Sequence, residues 1–112
     1  MNEIVDIRPR LNSAEMRELI NAMGYPSDIR DATTEQILAE YRENPDQLVF
    51  GLESDGGLIA LIGLRRSNST DAVVRHIVVR PDSRRHGLGR EMIRNVCRML
   101  SLKSLAAETE TL

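Results

Sequence analysis

At 112 residues, with 41% hydrophobic and 29% charged side chains, the chain has room for one globular domain (1–112) and excludes a second. No apolar stretch approaches the length of a membrane span, the single Cys97 excludes an internal disulfide, and the opening Met1-Asn2-Glu3-Ile4-Val5-Asp6 is acidic where a secretory leader is basic, so a cytoplasmic protein with no membrane partner is expected. The net charge of −2 is unevenly spread: residues 1–72 hold 13 acids against 7 arginines, while residues 73–112 hold 4 acids against 7 arginines and one lysine. The second part is therefore basic, and the acidic first part suits a cationic small molecule.

Ile4, Val5 and Ile7 mark a short first strand ended by Pro9. Asn12 or Ser13 caps a helix whose apolar stripe is Met16, Leu19, Ile20 and Met23, with Gly24 as its stop. After the loop Gly24-Tyr25-Pro26-Ser27-Asp28, a second helix is expected from Thr34 to Glu43, with Ile37, Leu38 and Tyr41 on one side. Leu48–Glu53 and Leu58–Arg66 read as strands joined across Asp55-Gly56-Gly57, a hairpin signal. A turn at residues 67–71 leads into a strand from Ala72 to Val79. An amphipathic helix runs from Leu88 to Leu102, burying Leu88, Met92, Val96 and Met99 or Leu100, and a last strand spans Leu105 to Thr109. The order β-α-α-β-β-β-α-β is that of an α+β domain.

The most informative segment lies between the Ala72–Val79 strand and the last helix: Pro81-Asp82-Ser83-Arg84-Arg85-His86-Gly87-Leu88-Gly89-Arg90. Glycine lets the backbone approach a ligand, a helix start offers unpaired N–H groups and a positive dipole end, and Arg84, Arg85 and Arg90 add cationic donors. Together these features point to a phosphate-bearing ligand. The dinucleotide fingerprint fits less well, because it needs a further glycine and an acidic residue on the next strand.

The strand Val73-Val74-Arg75-His76-Ile77-Val78-Val79, Pro81, and then Arg84-x-x-Gly87-x-Gly89 resemble the acetyl-CoA-binding motif of the GNAT superfamily of N-acetyltransferases. Ile77 and Val79 match its apolar positions; Arg85 stands where the family often has glycine. The order of elements is similar too, so the resemblance extends over the whole chain. It implies a mixed, mainly antiparallel sheet flanked by helices, with acetyl-CoA as the acetyl donor. It also implies direct attack by a primary amine of a small molecule or peptide. By the same resemblance, Ile77, Val78 and Val79 hold the pantetheine arm, while Arg84, Arg85, His86, Gly87, Leu88, Gly89 and Arg90 hold the pyrophosphate. Met23-Gly24-Tyr25-Pro26 and Ala107-Glu108-Thr109 look like the subgroup that includes aminoglycoside 6′-N-acetyltransferases.

For a proton acceptor the sequence offers His76 beside the thioester strand and Glu108 on the last strand, with Glu110 and Glu53 as further carboxylates. His76 equally suits a structural role within a sheet. No metal site is expected. The family fold usually continues with a helix, carrying a tyrosine acid, and two more strands; the present sequence stops at Leu112, so a C-terminally short domain is expected to pair with a second copy through its open edge. An acyl-CoA-binding module without turnover is the alternative. A nucleic-acid binder using Arg80, Arg84, Arg85, Arg90, Arg94 and Arg98 is disfavoured by an aromatic content of 3%.

Overall fold

Ser13 has extended dihedrals and its hydroxyl accepts the Met16 amide at 3.2 Å, so the first helix, α1 (Ala14–Asn21), starts at a capped turn as the sequence indicates. The second, α2 (Arg30–Glu43), begins one turn before the expected Thr34. Ile29 occupies its cap position without a side-chain bond, which is why no capping residue marks that start. The third, α3 (Leu88–Met99), stops short of Leu102. Ser101 adopts φ +54°, while the Leu102 and Ser101 amides return to the Cys97 and Arg98 carbonyls, a helix-ending turn usually built on glycine.

A computed structural model describes residues 2–107, and these form one five-stranded sheet in the order β1 (Asn2–Asp6), β2 (Gln47–Ser54), β3 (Gly57–Arg66), β4 (Asp71–Val79), β5 (Ser104–Ala107). The first four strands run antiparallel; β5, reached by crossing over α3, lies parallel to β4. This is the expected α+β class with a mainly antiparallel sheet. β1 ends at Asp6, before Ile7, and Ile7 turns into the core, fully buried. The last strand is described only as far as Ala107, so the Glu108–Thr109 part of the expected strand, and Glu110, lie outside the described residues. Among the described residues no helix is long and apolar enough to cross a membrane.

Apolar clusters cover both faces of the sheet. Met16, Leu19, Ile20, Ile37, Leu38 and Tyr41 bring α1 and α2 onto Val49, Leu58, Leu61 and Val78. On the other face Leu88, Met92 and Val96 of α3 meet Phe50, Leu52, Ile62, Leu64, Ala72 and Val74. Two irregularities decide which strand residue serves which face. Register shifts lie between Leu52 and Glu53, leaving Ile59 unpaired on β3, and between Gly63 and Leu64, leaving Arg75 unpaired on β4. Each is a bulge, and each inverts the alternation of side chains beyond it. Hence Val74 faces α3 while Val78, four residues on, faces α1.

Candidate acetyl-donor cleft

β5 pairs with β4 only from Asp71 to Val74. From Arg75 to Val79 that edge of β4 has no strand partner among the described residues, and a cleft of about 740 Å³ opens there, lined by Ala22, Met23, Gly24, Tyr25, Ile77, Val78, Val79, Arg84 and Gly89. The Arg80 amide donates to the Ile59 carbonyl of β3 at 2.8 Å. Because strand residues alternate in the edge to which they offer their N–H and C=O, Val78 faces β3, while Ile77 and Val79 face the cleft. Of the three residues expected to lend backbone groups to a pantetheine arm, two are so oriented. Val78 contributes its side chain to the wall instead.

The basic turn lies at the end of this edge. A 3-10 turn, Pro81–Ser83, leads into Arg85 at φ +70° and Gly87 at φ +71°, and Gly87 caps α3 without a side-chain bond. The first amides of α3 therefore have neither a capping side chain nor acceptors within the helix. A side chain on Gly89 would meet only Ile77 Cδ1, at 3.8 Å, an ordinary contact. Internal packing thus gives no reason for glycine here, in a helix's first turn where it costs about 1 kcal/mol against alanine. Both Gly89 and Ile77 line the cleft, so the missing Cβ leaves room for a ligand to come close to the helix start. Arg85, His86 and Arg90 are exposed around it.

Arg84 is placed differently from a free phosphate ligand. Its Nε donates to the Val79 carbonyl at 2.9 Å and a terminal nitrogen donates to the Ala22 carbonyl at 3.3 Å. It therefore ties β4 to the end of α1 and spans the two walls of the cleft. The facing loop is held in turn by Arg30, whose Nε and terminal nitrogen donate to the Tyr25 carbonyl at 3.2 and 3.0 Å. Neither link has a sequence signature, since both end on backbone oxygen. A neighbouring cavity of about 300 Å³ is rimmed by Glu15, Glu18 and Asp82, with Arg80 paired to Asp82 at 3.1 Å.

His76 lies beyond the Arg75 bulge, and its Nδ1 is 2.5 Å from the Tyr41 hydroxyl on α2. The cleft wall is formed by the next three residues of β4. Glu53 pairs with Arg10 at 3.2 Å on β2, and Glu108 lies outside the described residues.

A β4 strand followed by a basic, glycine-capped helix start is the order of elements that the sequence motif has. The model of the acetyltransferase (GNAT) family matches residues 13–110. The chain belongs to that family. Its class of chemistry is accordingly the transfer of an acetyl group from acetyl-CoA to an amine. No curated protein matches the chain in sequence. Among solved structures it is similar in fold to the aminoglycoside N-acetyltransferase AAC(6′)-Iy in complex with a bisubstrate analogue, at 21% identity and a TM-score of 0.67, covering 98% of this chain and 80% of that one. A GNAT family acetyltransferase from Staphylococcus aureus gives 16% identity and a TM-score of 0.70, covering 99% and 87%. The PaiA N-acetyltransferase from Thermoplasma acidophilum, in complex with coenzyme A, gives 18% and 0.68, covering 90% and 72%.

Proposed function

We propose that this protein acetylates a primary amine of a small cationic molecule, with acetyl-CoA held along the β4 edge and the start of α3. The observation that carries the reading is the Ile77–Gly89 gap, where a glycine that packing does not require opens the helix start toward backbone groups released from the sheet. The residues present fit the cofactor. Ile77 offers its amide and carbonyl, and Val79 its amide, to the pantetheine arm, and the first-turn amides of α3 with Arg85 and Arg90 offer donors and positive charge to its pyrophosphate. Bound there, acetyl-CoA supplies an activated acetyl thioester. The chain's own part is to hold donor and acceptor together, which by itself can supply effective molarities on the order of 10⁵ M. The Met23–Tyr25 loop forms the opposite wall, and the acidic rim of the neighbouring cavity raises the local concentration of cations. The aminoglycoside N-acetyltransferase among the similar structures is in keeping with such an acceptor.

The test is calorimetric titration with acetyl-CoA beside a turnover assay over aminoglycosides, polyamines and amino acids. The parent should bind acetyl-CoA and acetylate at least one amine, while Gly89→Val, whose side chain fills the gap, should lose binding by at least about a hundredfold while remaining folded. Equal affinity in parent and variant would place the cofactor elsewhere. Binding without turnover on any amine would leave an acyl-CoA-binding module instead.

A further inference from the structure

Consecutive strand residues send their side chains to opposite faces, yet Arg75 and His76 both reach α2. A terminal nitrogen of Arg75 is 2.9 Å from a carboxylate oxygen of Glu40, and His76 Nδ1 is 2.5 Å from the hydroxyl of Tyr41, the next residue of α2. The bulge at Arg75 makes this geometry available. Both α2 residues are held from behind. Glu40 accepts from Gln47 Nε2 at 3.0 Å, and the Tyr41 carbonyl accepts from the Arg8 guanidinium. The Tyr41 ring is fully buried against β3 at Gly63, where a Cβ would stand 1.8 Å from the hydroxyl oxygen and 2.3 Å from the ring carbon bearing it.

The bulge also decides which backbone groups reach the cleft. The Asp71 carbonyl accepts from Ser67 and Asn68, on the β3 side, so before the bulge the odd-numbered residues face β3. After it, Arg80 shows that the even-numbered ones do, and Ile77 and Val79 face outward. Loss of the bulge would shift the alternation by one residue and turn the Ile77 amide back toward β3.

We propose that Glu40 and Tyr41 are positioning residues for acetyl transfer: gripping Arg75 and His76, they fix the β4 bulge and so aim the Ile77 edge at the donor. The inference rests on the acetyl-donor reading of the cleft. In it His76 is a pin between strand and helix, and its task needs a hydrogen-bonding group at Nδ1 rather than a titrating ring.

The experiment uses the full chain and measures kcat, KM for acetyl-CoA, calorimetric affinity for CoA, and amide hydrogen exchange at Val78. Tyr41→Phe keeps the ring and removes the hydroxyl. It should lower kcat about tenfold, change CoA affinity less than about threefold, and speed exchange at Val78, whose amide faces β3, because misplacement of reacting groups costs more in the transition state than in binding. His76→Ala should behave alike, while His76→Asn, whose amide can replace Nδ1, should recover kcat to within about threefold of the parent. Should Tyr41→Phe not fold, Glu40→Gln, which loosens the neighbouring contact, carries the same expectation at smaller size. Parental kcat and unchanged Val78 exchange in the folded helix variants would overturn the proposal, as would His76→Asn being as impaired as His76→Ala. A parent that neither binds CoA nor turns over would instead overturn the functional reading itself and the inference with it, a result visible before any variant is made.

Discussion

The two halves of β4 are built from the same kind of residues and do opposite work. From Asp71 to Val74 the strand is paired on both edges, and Ala72 and Val74 are buried under α3. From Ile77 to Val79 it is paired on one edge only among the described residues, and Ile77 is 39% exposed. Composition does not distinguish Val-Val from Ile-Val-Val. What separates them, among the described residues, is a one-residue bulge held by a helix on one side and the end of the described pairing with β5 on the other. On the proposed reading, the half of the strand held on both edges keeps rigid the half whose outer backbone groups face the cleft.

The most damaging way to break this division is at Gly63, opposite the bulge. Gly63→Ala puts a Cβ where the buried Tyr41 phenol lies, so ring, helix or strand must move and the His76 contact is lost. Overpacking of this severity together with a lost buried hydrogen bond should cost about 3–5 kcal/mol, seen as a lowered midpoint in urea unfolding. Combining it with Tyr41→Leu removes the atoms that clash, so the double variant should be less destabilised than the two single losses added together. Strict additivity would show that Gly63 and Tyr41 do not share a contact.

Much of the closed half could be read from the sequence, and little of the pinning. α3 announces itself by Leu88, Met92 and Val96 at helical spacing, and the β2–β3 hairpin by Asp55-Gly56-Gly57, because both follow local rules. The basic turn and the glycine-capped start of α3 were legible from glycine and arginine spacing. The bulge was not, since Val73–Val79 is apolar at nearly every position and one extra residue leaves no periodic trace. The Tyr41–His76 pair, 35 residues apart, and the Arg84 links to two carbonyls depend on tertiary placement and backbone acceptors. The start of α2 was missed because its cap is made by Ile29.

Arg84→Ala sharpens the comparison, because Arg84 fastens the open half of β4 to α1. Removing it should weaken acetyl-CoA by about 1–3 kcal/mol, the range for charge-assisted hydrogen bonds. The loss should be shared by a pantetheine fragment lacking the nucleotide, since the Val79 and Ala22 carbonyls that Arg84 holds form the walls on which that arm rests. Calorimetry with both ligands decides between the roles. If the fragment binds parent and variant equally, Arg84 acts on the phosphates alone and the tie between strand and helix contributes nothing to the cleft.

The smallest effect is expected at Arg85, which follows directly and pays for its charge with its backbone. At φ +70° a residue with a Cβ is strained by about 1–2 kcal/mol, and glycine, frequent at this place in the family motif, is not. Arg85→Gly should therefore stabilise the fold, but by only about 0.5–1 kcal/mol, because glycine also gains freedom in the unfolded chain. Thermal unfolding should show a midpoint a few degrees higher, while acetyl-CoA binding weakens modestly and more at low salt than at high salt, as befits a lost exposed charge near the phosphates. A lower midpoint would mean that the Arg85 side chain contributes packing that outweighs its strain. An affinity unchanged at every salt concentration would mean that the open half of β4 and the start of α3 hold the cofactor with backbone groups and the other arginines alone.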